Sequence, residues 1–104
     1  MSQFRNITIL AIALLSLASV TRAQSTDVYT AKCQMCHGAT GMGDTPAGKA
    51  MKAHPFNSPD VISRSDADLL AEIKNGKAKM PAFSGKLTDA EMTALVAHIR
   101  KLQK

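Results

Sequence analysis

The stretch Cys33-Gln34-Met35-Cys36-His37 gives the strongest indication of fold in this sequence. Its pattern, C-x-x-C-H, is the one through which haem is attached covalently to a polypeptide. Two thiols three residues apart lie on one side of a helical turn, where each can form a thioether with a haem vinyl group. His37 follows directly, so its imidazole can reach the iron from the same face. Cys33 and Cys36 are the only cysteines of the chain, and we predict that both serve this attachment.

The first residues, 1–23, have the pattern of an export signal peptide. Arg5 supplies a short positive region, residues 7–17 form an uncharged apolar core, and a site resembling a signal-peptidase site ends at Ala23. The apolar stretch is too short to span a bilayer comfortably, since a span needs about 20 residues. We therefore expect cleavage near Ala23, no stable membrane anchor afterwards, and one exported domain over residues 24–104.

Charge and composition narrow the possible functions of this domain. The formal net charge of the whole chain is +5, and loss of Arg5 and Arg22 lowers it to +3. No basic run is interleaved with aromatic residues, so we expect no nucleic-acid binding. Residues 24–104 contain only three aromatic side chains, Tyr29, Phe56 and Phe83. A domain this small often needs a metal, disulfide or cofactor for stability, and a covalent haem would supply the missing apolar bulk.

The spacing of apolar residues, caps and breakers predicts an all-α domain. Residues 26–36 are expected to form a first helix with Ser25 or Thr26 as its N-cap. The Gly- and Pro-rich segment 37–59 is expected to be a wrapped loop, with a short helix over 49–53. No segment shows sustained alternation of apolar and polar residues, so no strand is expected.

Two further helices are predicted in the second half of the chain. Ser65 and Asp68 have the spacing of a helix start, and Asn75-Gly76 is a natural stop. Residues 77–86 then form a loop. Thr88 and Glu91 have the sequence of a full capping box. An amphipathic helix follows, with apolar residues at helical spacing: Met92, Leu95, Val96, Ile99 and Leu102.

The second axial position of the iron has a candidate ligand in Met80. A thioether sulfur is a soft ligand, and Met/His ligation raises the reduction potential of haem. Met80 lies in the loop between the last two predicted helices, and Pro81 stiffens the backbone beside it. The other methionines are less suitable, since Met35 lies between the cysteines and Met92 belongs to an apolar helix face; Met42 and Met51 lie in the first loop.

Two other functions remain open at this point. If Met80 is not a ligand, the protein is a five-coordinate haem protein that binds a gas or reduces peroxide. If no haem is attached, Cys33 and Cys36 form a thiol–disulfide site, although the βαβ pattern that usually accompanies such a site is missing.

The sequence resembles the class I c-type cytochromes of the short bacterial kind. Three stretches carry the resemblance: residues 33–38 with the haem motif, residues 79–83 (Lys-Met-Pro-Ala-Phe), and residues 95–100 in the final helix. The resemblance implies a cytochrome c fold, with three main helices and loops wrapped around one covalent haem c. It also implies that His37 and Met80 are the axial ligands and that the first and last helices cross.

The resemblance also assigns a role to Pro46. At two positions, however, this sequence differs from the pattern of the family. A ligating histidine usually donates its second ring N–H to a carbonyl. In the family a proline carbonyl in the following loop accepts this bond, and Pro46 is similar in placement. Ser25 stands where the family usually has a glycine at the helix crossing. His98 stands where the final helix of the family often has a tyrosine, and we expect it to pack near Tyr29.

The resemblance implies a periplasmic one-electron carrier that works between respiratory proteins. No nucleophile–base pair or acid pair is evident, so we expect no enzyme activity. We expect a monomer that meets its redox partners, donor and acceptor, through lysines near the exposed haem edge. The candidates lie on or beside the loops that frame the haem: Lys49, Lys52, Lys74, Lys77, Lys79 and Lys86. His54 is expected to be an exposed loop residue that competes for iron if the Met80 loop loosens.

Overall fold

The computed structural model describes residues 25–104, so the predicted export signal and its cleavage near Ala23 lie outside the described residues. A first helical segment, α1, covers residues 25–32. It is followed by α2 (Gln34–His37), α3 (Pro46–Met51), α4 (Pro59–Ile62), α5 (Asp66–Asn75) and α6 (Asp89–Leu102). In the described part of the chain, the pairing of extended backbone is limited to two isolated bridges. The all-α prediction is therefore confirmed for these residues.

Helices α5 and α6 form where local sequence signals predicted them. The Ser65 side chain accepts a hydrogen bond from the backbone N–H of Asp68 at 3.1 Å, which starts α5. At the start of α6, Thr88 and Glu91 exchange both bonds of a capping box, at 2.9 and 3.1 Å. Each bond satisfies a backbone donor that the helix start leaves unpaired.

The first half of the chain departs from the prediction in its helix boundaries. Ser25 and Thr26 are already helical, so neither is the N-cap of α1. A turn at Cys33 divides the predicted first helix into α1 and α2. The short loop helix starts at Pro46, three residues before its predicted start, because the Thr45 side chain caps it. Pro at the first helical position also favours this start.

Helix α4 was not predicted, although its sequence carries a start signal. Ser58, Pro59 and Asp60 give a polar residue in the N-cap position, a proline at the first helical position and an acidic residue in the first turn. The helix is only one turn long, and it places Val61 in the core.

The core lies where α5 and α6 pack against each other and against α1. Its most deeply buried side chains are Met92 and Leu95, each 1% exposed. Tyr29 of α1 is 2% exposed, and its ring centroid lies 4.6 Å from that of His98 on α6. This contact confirms the predicted packing of His98 near Tyr29. Arg100 of α6 also pairs with Asp66 at the start of α5, at 2.8 Å.

The helices of residues 25–104 include none that is long and apolar enough to cross a membrane.

Candidate haem site

A cavity of about 660 Å³ lies between α1, α2, α5, α6 and the loop that follows α5. Its size is within the range of roughly 300–1,000 Å³ that is usual for ligand and cofactor sites. Cys33, Cys36, His37 and Met80 all line it. The sequence separates the first three from Met80 by more than forty positions, so tertiary folding brings the predicted attachment and ligand residues to one space.

Helices α5 and α6 contribute four apolar residues to the lining, Leu69, Ile73, Leu95 and Ile99, each of which belongs to the core. Other parts of the chain contribute further apolar side chains. An apolar cavity with a few convergent donor atoms suits a large, flat, apolar group that holds a metal. Sulfur and imidazole donors are also those that haem iron accepts from proteins. The residues present therefore fit a haem.

The two thiols are free of any disulfide. Burial, and after it the neighbouring Cys36, raise the pKa of the Cys33 thiol to about 11. As a free thiol, Cys33 is therefore protonated at neutral pH. Both thiols line the cavity, and the single turn that they share places them there together.

His37 is held in a mostly apolar environment at the end of α2. Burial lowers the pKa of its imidazole, which favours the neutral form that binds a metal. Its Nδ1 atom is buried and has no hydrogen-bond partner among the described residues. The predicted hydrogen bond to the Pro46 carbonyl is therefore absent from the structure. Pro46 is the exposed first residue of α3, and the carbonyl of such a residue points along its own helix.

The Met80 loop is fixed to the C-terminal end of α5 by backbone contacts. Lys77 and Met80 exchange two backbone hydrogen bonds, at 3.1 and 2.9 Å. Gly76 has φ +73°, and a Cβ on it would lie 2.7 Å from the Met80 carbonyl oxygen. Only glycine fits this close approach. Met80 is half-buried, packs against the core and lines the cavity.

Tyr29 connects the haem motif to the first and last helices. Its hydroxyl donates a hydrogen bond of 2.5 Å to the carbonyl of Gly38, the residue after His37. Burial, and after it Cys33, raise the pKa of Tyr29 to about 12, so it keeps its proton at neutral pH. Burial and Lys101 lower the pKa of His98 beside it, which favours a neutral imidazole.

The rim of the cavity carries more positive than negative side chains. Of the six lysines predicted near the haem edge, Lys52, Lys77 and Lys79 line the cavity, and the other three do not. Lys32 and Arg64 also line it and were not predicted. The acidic lining residues are Asp60 and Glu72.

Ion pairs neutralise part of this rim. Glu72 pairs with Arg64 at 2.5 Å and with Lys77 at 3.3 Å. His54 is exposed as predicted, and its Nδ1 lies 3.7 Å from Asp60. Within residues 25–104, Lys52 and Lys79 form no ion pair, and both residues are exposed.

Comparison with known proteins agrees with this site. Residues 21–99 match the sequence model of the family described as cytochrome C oxidase, cbb3-type, subunit III. A cytochrome c6 of Bryopsis maxima is 35% identical over 83 residues, which cover 72% of this chain and 84% of that protein. The chain belongs to the class I c-type cytochromes.

Comparisons with one further sequence and one solved structure show how much of each protein the similarity covers. The cbb3-type cytochrome c oxidase subunit CcoP of Azospirillum brasilense is 34% identical to this cytochrome over 77 residues, which cover 72% of the chain but 26% of that subunit. The structure of the KustC0563 c-type cytochrome matches with a TM-score of 0.71 at 30% identity, over 77% of this chain and 98% of that one. The cytochrome c fold is thereby confirmed.

Membership of the family settles the cofactor. The cytochrome carries covalently bound haem c, and Cys33 and Cys36 fit the attachment motif. Its single C-x-x-C-H sequence corresponds to one haem. As a c-type cytochrome it transfers electrons and works with redox partner proteins.

Besides Lys32 and Arg64 on the rim, sequence reasoning missed Phe56 and Met51. Phe56 stacks on His37, with ring centroids 4.6 Å apart and 25° between the ring planes. Met51, the last residue of α3, lines the same cavity as Met80. Both lie in the Gly- and Pro-rich segment, whose helices are too short for periodicity to give the direction of a side chain. A partial signal for Phe56 was the scarcity of aromatic residues, which left few candidates to enclose a haem.

Proposed function

We propose that the protein is a periplasmic one-electron carrier whose haem is bound to Cys33 and Cys36, with His37 and Met80 as the axial ligands. The observation that carries this proposal is the cavity that these four residues line together. When bound, the haem supplies an iron that changes between the ferric and ferrous states, with a potential set by its ligands and burial. The residues of the chain attach the group, ligate it and exclude water from it.

The same arrangement supports electron transfer and argues against enzyme activity. Two protein ligands leave no axial position for a substrate, a gas or peroxide. The apolar wall from α5 and α6 shields the site from water, while the rim at Lys52 and Lys79 leaves one side accessible. Electron transfer needs only such an approach, because no atom is exchanged. The predicted export signal supports the periplasm as the place where this happens.

The visible absorption spectrum of the purified protein tests the proposal. We expect a low-spin, six-coordinate spectrum, a weak far-red band of Met–Fe(III) ligation in the ferric state, and haem that stays attached after denaturation. Expression in a cell with haem-attachment machinery is required. A high-spin spectrum would contradict ligation by Met80 and indicate a five-coordinate protein. A chain without haem would leave the two thiols as the functional groups.

We further propose that Lys32, Lys52 and Lys79 attract acidic redox partners to the cavity rim. Charges around a cleft steer an oppositely charged partner and can raise association rates by about 10–10³. The partners are not identified, so hexacyanoferrate(III) serves as an anionic probe. We expect its rate of reaction with the reduced protein to fall as ionic strength rises, because salt screens charges over about 10 Å at 0.1 M.

Reversing charges at two places on the surface distinguishes steering by the rim lysines from an effect of the net charge of the protein. We expect Lys52→Glu with Lys79→Glu to slow the reaction with hexacyanoferrate(III) roughly tenfold at low salt. The double variant Lys101→Glu with Lys104→Glu changes the net charge equally at the end of α6 and serves as the matched control. Equal slowing in both double variants would show that only the net charge matters. Reduction potentials measured on both variants correct for any change in driving force.

A further inference from the structure

The ring of Phe56 lies almost parallel to that of His37. The two centroids are 4.6 Å apart, with 25° between the planes, which is a stacked arrangement. Phe56 is 7% exposed, so its ring is fixed within the core rather than free at the surface. Stacked rings restrict each other because tilting either one causes overlap or opens a gap.

The described residues give the second ring nitrogen of His37 no hydrogen bond that would orient the imidazole. The second ring nitrogen of such a residue almost always donates to a carbonyl, a carboxylate or water, which fixes the ring plane. Here Nδ1 is buried and has no partner among the described residues. Among the described residues, the contact that bears on the plane of the His37 ring is the stacked ring of Phe56.

Phe56 is itself held from two other sides. Its backbone N–H donates to the Gly41 carbonyl at 2.8 Å, and a Cβ on Gly41 would lie 2.5 Å from Phe56 Cδ2. Tyr29 meets the Phe56 ring edge-on, with centroids 6.4 Å apart. The Tyr29 hydroxyl in turn holds the carbonyl of Gly38, next to His37. Ring and backbone contacts thus fix Phe56 relative to His37.

We infer that Phe56 is a positioning residue that sets the orientation of the His37 imidazole plane by stacking. This inference rests on the proposed role of His37 as an axial ligand. Phe56 acts through His37, and its loss is expected to let the imidazole adopt several orientations while haem attachment is retained.

Electron paramagnetic resonance of the ferric protein tests this inference, because the signal of low-spin iron depends on the planes of its axial ligands. We expect Phe56→Leu and Phe56→Met to shift and broaden the highest-g feature. Methionine fills a similar volume without a flat ring, so it separates lost stacking from lost volume. Phe56→Tyr keeps the ring and is expected to restore the wild-type signal.

Phe83→Leu is the matched control. Phe83 is also 7% exposed and lines the same cavity, but it is not stacked on His37. We expect its ferric signal to keep the wild-type width. Wild-type signals in Phe56→Leu and Phe56→Met, or equal broadening in Phe83→Leu, would overturn the role of Phe56.

A measurement on the wild-type protein tests the axial role of His37 separately from the role of Phe56. With ¹⁵N-labelled histidine, pulsed resonance is expected to detect a histidine nitrogen bound to the iron. If no such nitrogen is detected, the axial role of His37 fails and the inference fails with it. If it is detected while the Phe56 variants match the wild type, only the inference fails.

Discussion

Replacement of Met80 by alanine is expected to abolish the far-red band of the ferric protein and to lower its reduction potential by about 0.1 V or more. Axial ligands set haem potentials over a range of about 0.8 V, and Met/His ligation lies toward its upper part. Without the thioether sulfur the sixth position is left to water or to another side chain. Visible spectroscopy and a redox titration measure the two effects.

Met51→Leu is the control for this variant, because Met51 lines the same cavity. Met51 is 49% exposed at the end of α3, whereas Met80 is half-buried and packed against the core. We expect Met51→Leu to keep the far-red band and a potential close to that of the wild type. Loss of the band in Met51→Leu but not in Met80→Ala would assign the sixth position to Met51.

Gly76 explains why Met80 is the better placed of the two. Its positive φ and its close approach to the Met80 carbonyl bring the chain back toward the cavity directly after α5. The two bonds between Lys77 and Met80 then fix the turn. Met51, by contrast, is followed by Lys52 in a left-handed conformation that leads the chain away from α3. A rigid loop is therefore expected to present Met80 to the iron.

Local signals in the sequence were sufficient to predict helices α5 and α6. Ser65 and Thr88 cap them, and an apolar residue at every third or fourth position determines which face is buried. These features act within a few residues, so they are visible without a structure. The haem motif is equally local, because the spacing of Cys33, Cys36 and His37 is itself the chemical requirement.

The loop between α2 and α5 could not be predicted in the same way. The stacking of Phe56 on His37 joins residues nineteen positions apart, and the backbone of Phe56 is held there by its hydrogen bond to Gly41. Neither of these contacts produces a periodic pattern of residues in the sequence. The proposed acceptor Pro46 illustrates the difficulty, since its placement in sequence was similar to that in the family, but it starts a helix. Tertiary packing, rather than sequence spacing, determines what His37 contacts.

Replacing both Cys33 and Cys36 by alanine is expected to remove covalent haem and to abolish cooperative folding. Leu69, Ile73, Leu95 and Ile99 line the cavity, and without haem these side chains lose the apolar group that would fill it. An unfilled cavity of this kind destabilises a core, and the whole stability expected for a domain of this size is only about 4–12 kcal/mol. Far-UV circular dichroism during heating and mass spectrometry of the denatured protein measure folding and attachment.

Met35→Ala provides the control, because Met35 lies between the two cysteines and is 75% exposed. This variant changes the same helical turn without touching the attachment chemistry, so we expect covalent haem and a melting transition close to that of the wild type. Cys33→Ala alone leaves Cys36 to form one thioether and is expected to be intermediate in stability. Cooperative melting of the double variant near the wild-type temperature would show that the helices fold without the haem. In that case the cavity would be a preformed binding site rather than a part of the core that the haem completes.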